Sequence, residues 1–322
     1  MVNAGLEYRT GRWVMMVERI SDGAGEAKKG LWYAFGCYAI WGLFPLYWYP
    51  LAGSALGADQ LLAQRVVWSA VFSVLLAVGF GQWPVLRSAM GDKRVLLTFL
   101  ASAAAISVNW LVYLWAIKHN HVLDASLGYF ISPLFSIWLG RIFFNERLNR
   151  IQMAAISLAV VGILWLALPS GRIPWVALIL TVSFGLYGLL RKKAPLDVLP
   201  AMALETLMML PFALGYLLWC GWRGELVFSE LPPLQMGILL GSGAVTTIPL
   251  LLFAAGAKRI SLSNLGMIQY FSPTCQFVIG LLVFQEAFSM SRFIGYVWVW
   301  LGVAVYLLGI WQKQKNSFVQ RV

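Results

Sequence analysis

Ten stretches of this chain are each long enough and apolar enough to cross a lipid bilayer, and nothing else in the sequence narrows the fold so far. A spanning helix needs about 20 mostly apolar residues. Such stretches run over residues 31–49, 61–80, 95–117, 123–144, 151–168, 174–190, 198–220, 235–256, 262–284 and 293–311. The connections are short, which predicts a compact helical bundle without an extramembrane domain. Composition agrees: 60% of the residues are apolar and 11% are charged, whereas a soluble domain carries about 25% charged residues. Too little charge remains to coat a water-facing surface.

The net charge of +11 would suggest nucleic acid in a soluble protein. Its placement says otherwise. With the N-terminus inside, the cytoplasmic segments hold 19 of the 24 basic residues, including Lys28, Lys29, Arg87, Arg94, Arg147, Arg191, Lys192, Lys193, Lys258 and Arg259. The other side holds 4: Lys118, Arg172, Arg223 and Arg292. Such a bias sets orientation through the positive-inside rule. It predicts both termini in the cytoplasm and no binding of nucleic acid. Residues 1–29 read as a cytoplasmic extension, either an amphipathic helix over Trp13–Ile20 or a disordered tail, and not as a signal peptide. Residues 313–322 read as a cytoplasmic tail.

The two halves of the chain match each other. At an offset of 140, Ser132-Pro133 falls on Ser272-Pro273, Gly140 on Gly280, Glu146 on Glu286 and Gly162 on Gly302. At 143, Trp32 falls on Trp175 and Gly42-Leu43 on Gly185-Leu186. The repeats are 30–169 and 170–312, with five spans each. Five is odd, so the second repeat enters the membrane from the opposite side. Two inverted units can adopt mirrored packings around a midplane site, which is the design of a secondary carrier. A channel or a lipid scramblase is the alternative.

Six strings in order, Asn109–Ala116, Ala125–Leu134, Tyr187–Lys193, Leu204–Leu207, Thr246–Phe253 and Gln269–Thr274, resemble the EamA branch of the drug/metabolite transporters, and within it the RarD subgroup. The resemblance covers residues 30–310. It implies an all-α membrane protein of ten helices in a five-plus-five arrangement. It also implies efflux of small organic molecules, and a central cavity walled by spans one, three, four, six, eight and nine, with five and ten to one side.

Charges inside spans are costly and presumed functional. Arg65 in span two and Glu205 in span seven lie 140 apart, so they occupy equivalent positions in the two repeats. Inversion puts Arg65 toward the outside and Glu205 toward the inside, so each is expected to gate or couple on its own side rather than to pair with the other. The plainer role is a structural charge bonded to helix ends. Pro133, Pro249 and Pro273 remove backbone donors within spans, which suits either cavity lining or helix bending. The polar and aromatic set near the midplane, Trp41, Asn109, Trp110, Tyr113, Tyr129, Ser132, Tyr187, Thr246, Asn264, Gln269 and Tyr270, suits a small, partly apolar solute or a cation held over a ring.

Plainer expectations hold elsewhere. Glu146 and Glu286 read as capping or surface carboxylates, and Asp124 as a helix N-terminal acid. His119 and His121 read as loop residues, and Gly237, Gly241 and Gly243 as helix-packing positions. Cys37, Cys220 and Cys275 sit in apolar stretches and read as buried hydrophobes. No nucleotide-binding, metal-ligand or hydrolase motif is present, so neither an enzyme nor a cofactor or metal is expected. The sequence therefore predicts an exporter of small organic solutes, a drug, an amino acid or an aromatic metabolite, in a bacterial inner membrane. Its partners are the solute, the bilayer and the proton as candidate coupling ion, and it works as a monomer or homodimer.

Overall fold

The computed structural model describes residues 3–51, 53–119, 122–167, 174–285 and 288–319. Side chains are described from Gly25 to Gln312 within these, apart from residues 114, 117, 118 and 122–124. The expectations for His121, Asp124 and Glu286 lie outside the described residues and side chains. All regular structure among the described residues is helical. The helices are α1 (Asn3–Trp48), α2 (Ala58–Gly79), α3 (Trp83–Ala89), α4 (Lys93–Lys118), α5 (Val122–Phe144), α6 (Arg150–Ala167), α7 (Trp175–Lys193), α8 (Val198–Trp222), α9 (Pro233–Arg259), α10 (Leu262–Gln269), α11 (Phe271–Leu282) and α12 (Met290–Val319).

Nine segments of the described residues are long and apolar enough to span, with α10 and α11 counting as one crossing. The C-terminal half of α1 supplies the tenth; its many Trp and Tyr residues make it less apolar than the others. Two features depart from the expected spans. Helix α1 begins well before the expected first span, running unbroken from Asn3 through the residues before 30. The short helix α3, begun by Pro84 in its first turn, fills the connection between the second and third spans.

Packing follows a pseudo-twofold rule. Helix α6 packs on α12, α2 on α8 and α5 on α10, so spans five, two and four each meet their own counterpart. Other contacts come in matched sets: α1 with α9 and α4 with α7, then α2 with α9 and α4 with α8, then α1 with α11 and α5 with α7. Equivalent residues make the equivalent contacts. A Cβ on Gly42 would meet Cys275 at 2.7 Å, and one on Gly185 would meet Phe135 at 2.3 Å. Residues 275 and 135 are 140 apart, like the repeats themselves. Asn145 and Gln285, also 140 apart, both hold positive φ, 51° and 54°, the left-handed conformation that commonly ends a helix.

The repeats differ in span nine. It is broken at Tyr270, with Pro273 third in α11, where a missing N–H costs little. Thr274 covers part of the break by donating its hydroxyl to the Tyr270 carbonyl at 2.8 Å. Span four carries Pro133 inside one continuous helix.

The basic residues gather at one end of the bundle, here called the basic face, where hydrogen bonds between helix ends close it. Arg259 Nε donates to Glu26 at 2.8 Å. Lys192 donates to the Ala257 carbonyl at 2.8 Å and also to that of Ile260. Lys258 donates to the Leu196 carbonyl. The hydrogen bond from Lys29, then that from Arg259, holds the exposed Glu26 carboxyl below its ordinary range. At the opposite face Gln60 bonds the Glu225 carbonyl at 2.7 Å, and Tyr47 donates to the Ile238 carbonyl at 2.6 Å.

Candidate functional site

The two intramembrane charges lie at the same place in their helices: Arg65 is the eighth residue of α2 and Glu205 the eighth of α8. They do not touch each other. Each is held by the first span of its own repeat and by a span of the other repeat, so the pseudo-symmetry extends to their partners. What fills those positions differs, and so does access.

On the basic side Glu205 is 1% exposed and pairs with Arg191 of α7, also 1% exposed, at 3.2 Å. Ser102 of α4 donates to the other carboxylate oxygen at 2.6 Å. The Arg191 guanidinium lies over the Phe99 ring at 5.9 Å. A fully desolvated ion pair is worth little net stability, but removing one partner strands the other charge. The pair is not fully satisfied: Arg191 Nε and Nη2 are buried without hydrogen-bond partners among the described residues. Beside it lies a cavity of about 10 Å³, lined by Ser69, Trp110, Tyr187, Glu205 and Thr206 among others, with room for about one water. Thr206 continues the polar contact to Ser73 of α2 at 2.7 Å.

Toward the opposite face the arrangement is looser. The Arg65 guanidinium lies 5.3 Å from the Trp48 ring centre and 5.2 Å from that of Trp110. Its Nε donates to Thr246 of α9 at 3.2 Å. The Tyr113 and Tyr129 hydroxyls are within electrostatic range of it, and their rings pack edge-on at 5.8 Å. At 1.5 Å per residue, Arg65 sits about 10 Å in from the start of its helix. Even so, Arg65, Trp48, Trp110, Tyr113 and Tyr129 all remain partly accessible. The bundle is packed closed around Glu205 and covers Arg65 and its neighbours less completely.

The expected site residues therefore divide. Trp110, Tyr113, Tyr129 and Thr246 gather around Arg65, and Tyr187 stands beside Glu205. Trp41 is packed in an aromatic core with Tyr38, Phe184 and Phe253. Asn109 ties α4 to α7 through the Leu180 carbonyl at 2.9 Å and the Ser183 hydroxyl at 3.1 Å. Ser132, Pro249, Gln269 and Pro273 are buried. Pro133 lies in the α5–α10 crossing, where a Cβ on Gly266 would meet its carbonyl oxygen at 2.6 Å. Asn264 and Tyr270 line a lateral groove of about 350 Å³ between α1, α10, α11 and α12. There Asn264 accepts from Tyr306 at 3.2 Å, while Tyr270 donates to the Phe130 carbonyl at 3.1 Å.

One expectation needs correcting, and another needs placing. Arg191, counted among the loop residues that orient the chain, is one of the most buried large side chains and the ionic partner of Glu205. Helix α7 runs three residues past the expected span end, which carries Arg191 inward. Glu146 is the capping carboxylate of its two expected roles, but the helix end it caps is not its own. It caps the other repeat, accepting from the Leu262 and Ser263 amides at 2.7 and 3.0 Å and from the Ser263 hydroxyl at 2.6 Å. An acid there also faces the positive end of α10. His119 is exposed and stacks on Trp115 at 4.4 Å. Among the described residues, no group of three or more His, Cys, Asp or Glu gathers as a metal site would need.

Known proteins match both halves. The EamA-like transporter family model matches residues 28–168 and again 172–308, the two repeats. The uncharacterized transporter YojE of Bacillus subtilis is 43% identical, with 91% of this chain and 98% of that protein covered. Protein RarD of Streptomyces exfoliatus is 41% identical, covering 87% of this chain and 88% of its own. A solved crystal structure superposes at a TM-score of 0.63 with 15% identity, over 87% of this chain and 98% of that one, a likeness of fold.

Proposed function

The chain belongs to the EamA-like transporter family, within its RarD subgroup, and from that premise we propose that it is a secondary carrier exporting small organic solutes by alternating access. It is a multi-pass membrane transporter built of two repeats. The basic face is cytoplasmic, both termini lie there, and the membrane is the bacterial inner membrane. The observation that carries the reading is the unequal state of two equivalent sites. Around Glu205 the half toward the basic face is closed by a buried ion pair, while Arg65 and its neighbours are less completely covered by protein.

In an inverted repeat, the second state exchanges the two conformations. Opening inward parts Arg191 from Glu205 and lets water reach the carboxylate. Opening outward restores the pair. Each state must replace the contacts that the other breaks, since a buried charge left alone is costly. Glu205 is thus both the cytoplasmic gate and the carboxylate best placed to take up a proton when the gate opens. A proton on Glu205 removes the attraction that holds Arg191 and favours the open arrangement. The solute is held between the two charges.

Purified protein in liposomes tests this. Solute flux should saturate and show competition, and it should respond to a pH gradient. Glu205→Gln should retain solute exchange and lose the response to the gradient. Unchanged gradient dependence in that variant removes Glu205 from coupling. Flux that never saturates points to a channel, and movement of labelled lipid without solute points to a scramblase.

A further inference from the structure

We infer that Arg65 is a receptor for the carboxylate of a monoanionic solute with an aromatic or apolar body. This rests on the carrier reading and names the substrate class of its externally accessible half. The argument begins with what Arg65 lacks. Its recorded contacts are one hydrogen bond from Nε to Thr246 and two ring faces, Trp48 and Trp110. Among the described residues no carboxylate is in ion-pair reach of it. An arginine at membrane depth is expensive unless it is paired or hydrated. The counterpart charge in the other repeat is paired: Glu205 has Arg191. At the offset of 143, Arg191 corresponds to Trp48. Where one repeat holds an ion pair, the other holds a cation beside an indole ring, and among the described residues no matching anion stands next to it.

Thr246 takes Nε, the Trp48 and Trp110 ring centres lie 5.3 and 5.2 Å from the guanidinium carbon, and among the described residues neither Nη group, the outer edge of the guanidinium, has a hydrogen bond. That edge forms two parallel hydrogen bonds to a carboxylate. The Tyr113 and Tyr129 hydroxyls nearby can donate to the same anion. The five residues keep part of their surface uncovered by protein, and on this reading the anion reaches Arg65 from the external side.

Charge decides among ligands. The described side chains around Arg65, namely Trp48, Trp110, Tyr113, Tyr129 and Thr246, are uncharged. One positive charge balances one negative charge, so a monocarboxylate fits better than a phosphate dianion. A cationic solute is disfavoured, because the indole faces that would attract it already hold a guanidinium.

The test uses full-length protein in detergent with matched probes: phenylacetate, indole-3-acetate, N-acetylphenylalanine and N-acetyltryptophan, each beside its primary amide. The readout is the thermal midpoint across a concentration series. At least one acid should raise the midpoint saturably, and its amide should bind about tenfold more weakly or less, the loss expected for a charge-assisted pair. Arg65→Gln should abolish the preference for the acid. Arg65→Lys should keep the preference at lower affinity, since the charge remains and the fork does not. A set in which no acid binds more tightly than its amide overturns the inference, and so does a preference that survives Arg65→Gln. If that variant fails to fold, the Tyr113→Phe, Tyr129→Phe double variant decides: it should weaken the acid selectively, and equal acid affinity counts against the site. Saturable liposome flux of the neutral amides without acid preference would sink the anion site and leave the carrier reading standing, whereas non-saturable flux of every probe would sink the carrier reading itself.

Discussion

At the scale of residues, one charged position in each repeat has taken a different chemical form. Glu205 is locked by Arg191 and Ser102, while Arg65 rests between indoles. Their equivalence was legible in the sequence as a spacing of 140. The role of Arg191 was not, because a basic triplet at the end of an apolar run reads as a loop. One signal was available: Arg191 is four residues after Tyr187, so the two share a helix face, and Tyr187 is fully buried against Phe253 at 5.6 Å. The pair makes a prediction by thermal denaturation in detergent. Glu205→Gln and Arg191→Gln should each destabilise the fold by about 3–5 kcal/mol, because each strands the other side chain. The double variant should lose less than the sum, with a coupling of about 0.5–3 kcal/mol. Additive losses would mean that the two side chains do not act as a pair.

At the scale of elements, helix ends and crossings carry the repeat more faithfully than helix interiors do. Asn145 and Gln285 end spans four and nine with the same left-handed residue, yet span nine is broken at Tyr270 and span four is not. Proline alone therefore does not set the break, since Pro133 and Pro273 are equivalent. The glycines of α9 are also unequal. Small-residue spacing marked Gly237, Gly241 and Gly243 alike, but a Cβ on Gly243 would meet the Trp68 carbonyl oxygen at 2.3 Å, and one on Gly237 would meet nothing within 4 Å. Gly243→Ala should therefore push α9 away from α2, with a loss of about 1–3 kcal/mol for overpacking. Gly237→Ala should leave the melting temperature unchanged or slightly raised. Equal effects at the two positions would contradict the crossing described here.

At the scale of the whole molecule, bonds between the two halves of the chain at the basic face, from Glu26 to Arg259 and from Glu146 to α10, hold the bundle shut there. Orientation in the membrane gives the prediction for this scale. In a background with Cys37, Cys220 and Cys275 replaced, a single cysteine at Lys28 should react with an impermeant thiol reagent only after the cells are opened. One at Arg223 should react in intact cells. The reverse pattern would invert the bundle and exchange the cytoplasmic and external roles of Glu205 and Arg65.

Hydropathy, charge placement and the internal match are properties of the chain read in one dimension, and they determined the spans, the inverted repeat and the positions of Arg65 and Glu205. Bilayer thickness sets span length, and parity sets inversion, so no tertiary information was needed. Tertiary structure decided which polar groups meet. Helix rotation turned Arg191 inward, a crossing brought Glu146 to the other repeat's helix end, and packing drew Asn109, Trp41 and Asn264 away from any common cavity. Those outcomes depend on helix phase and on crossings between residues far apart in sequence. A single apolar run carries almost no trace of either, because a span facing lipid on one side and protein on the other is apolar on both.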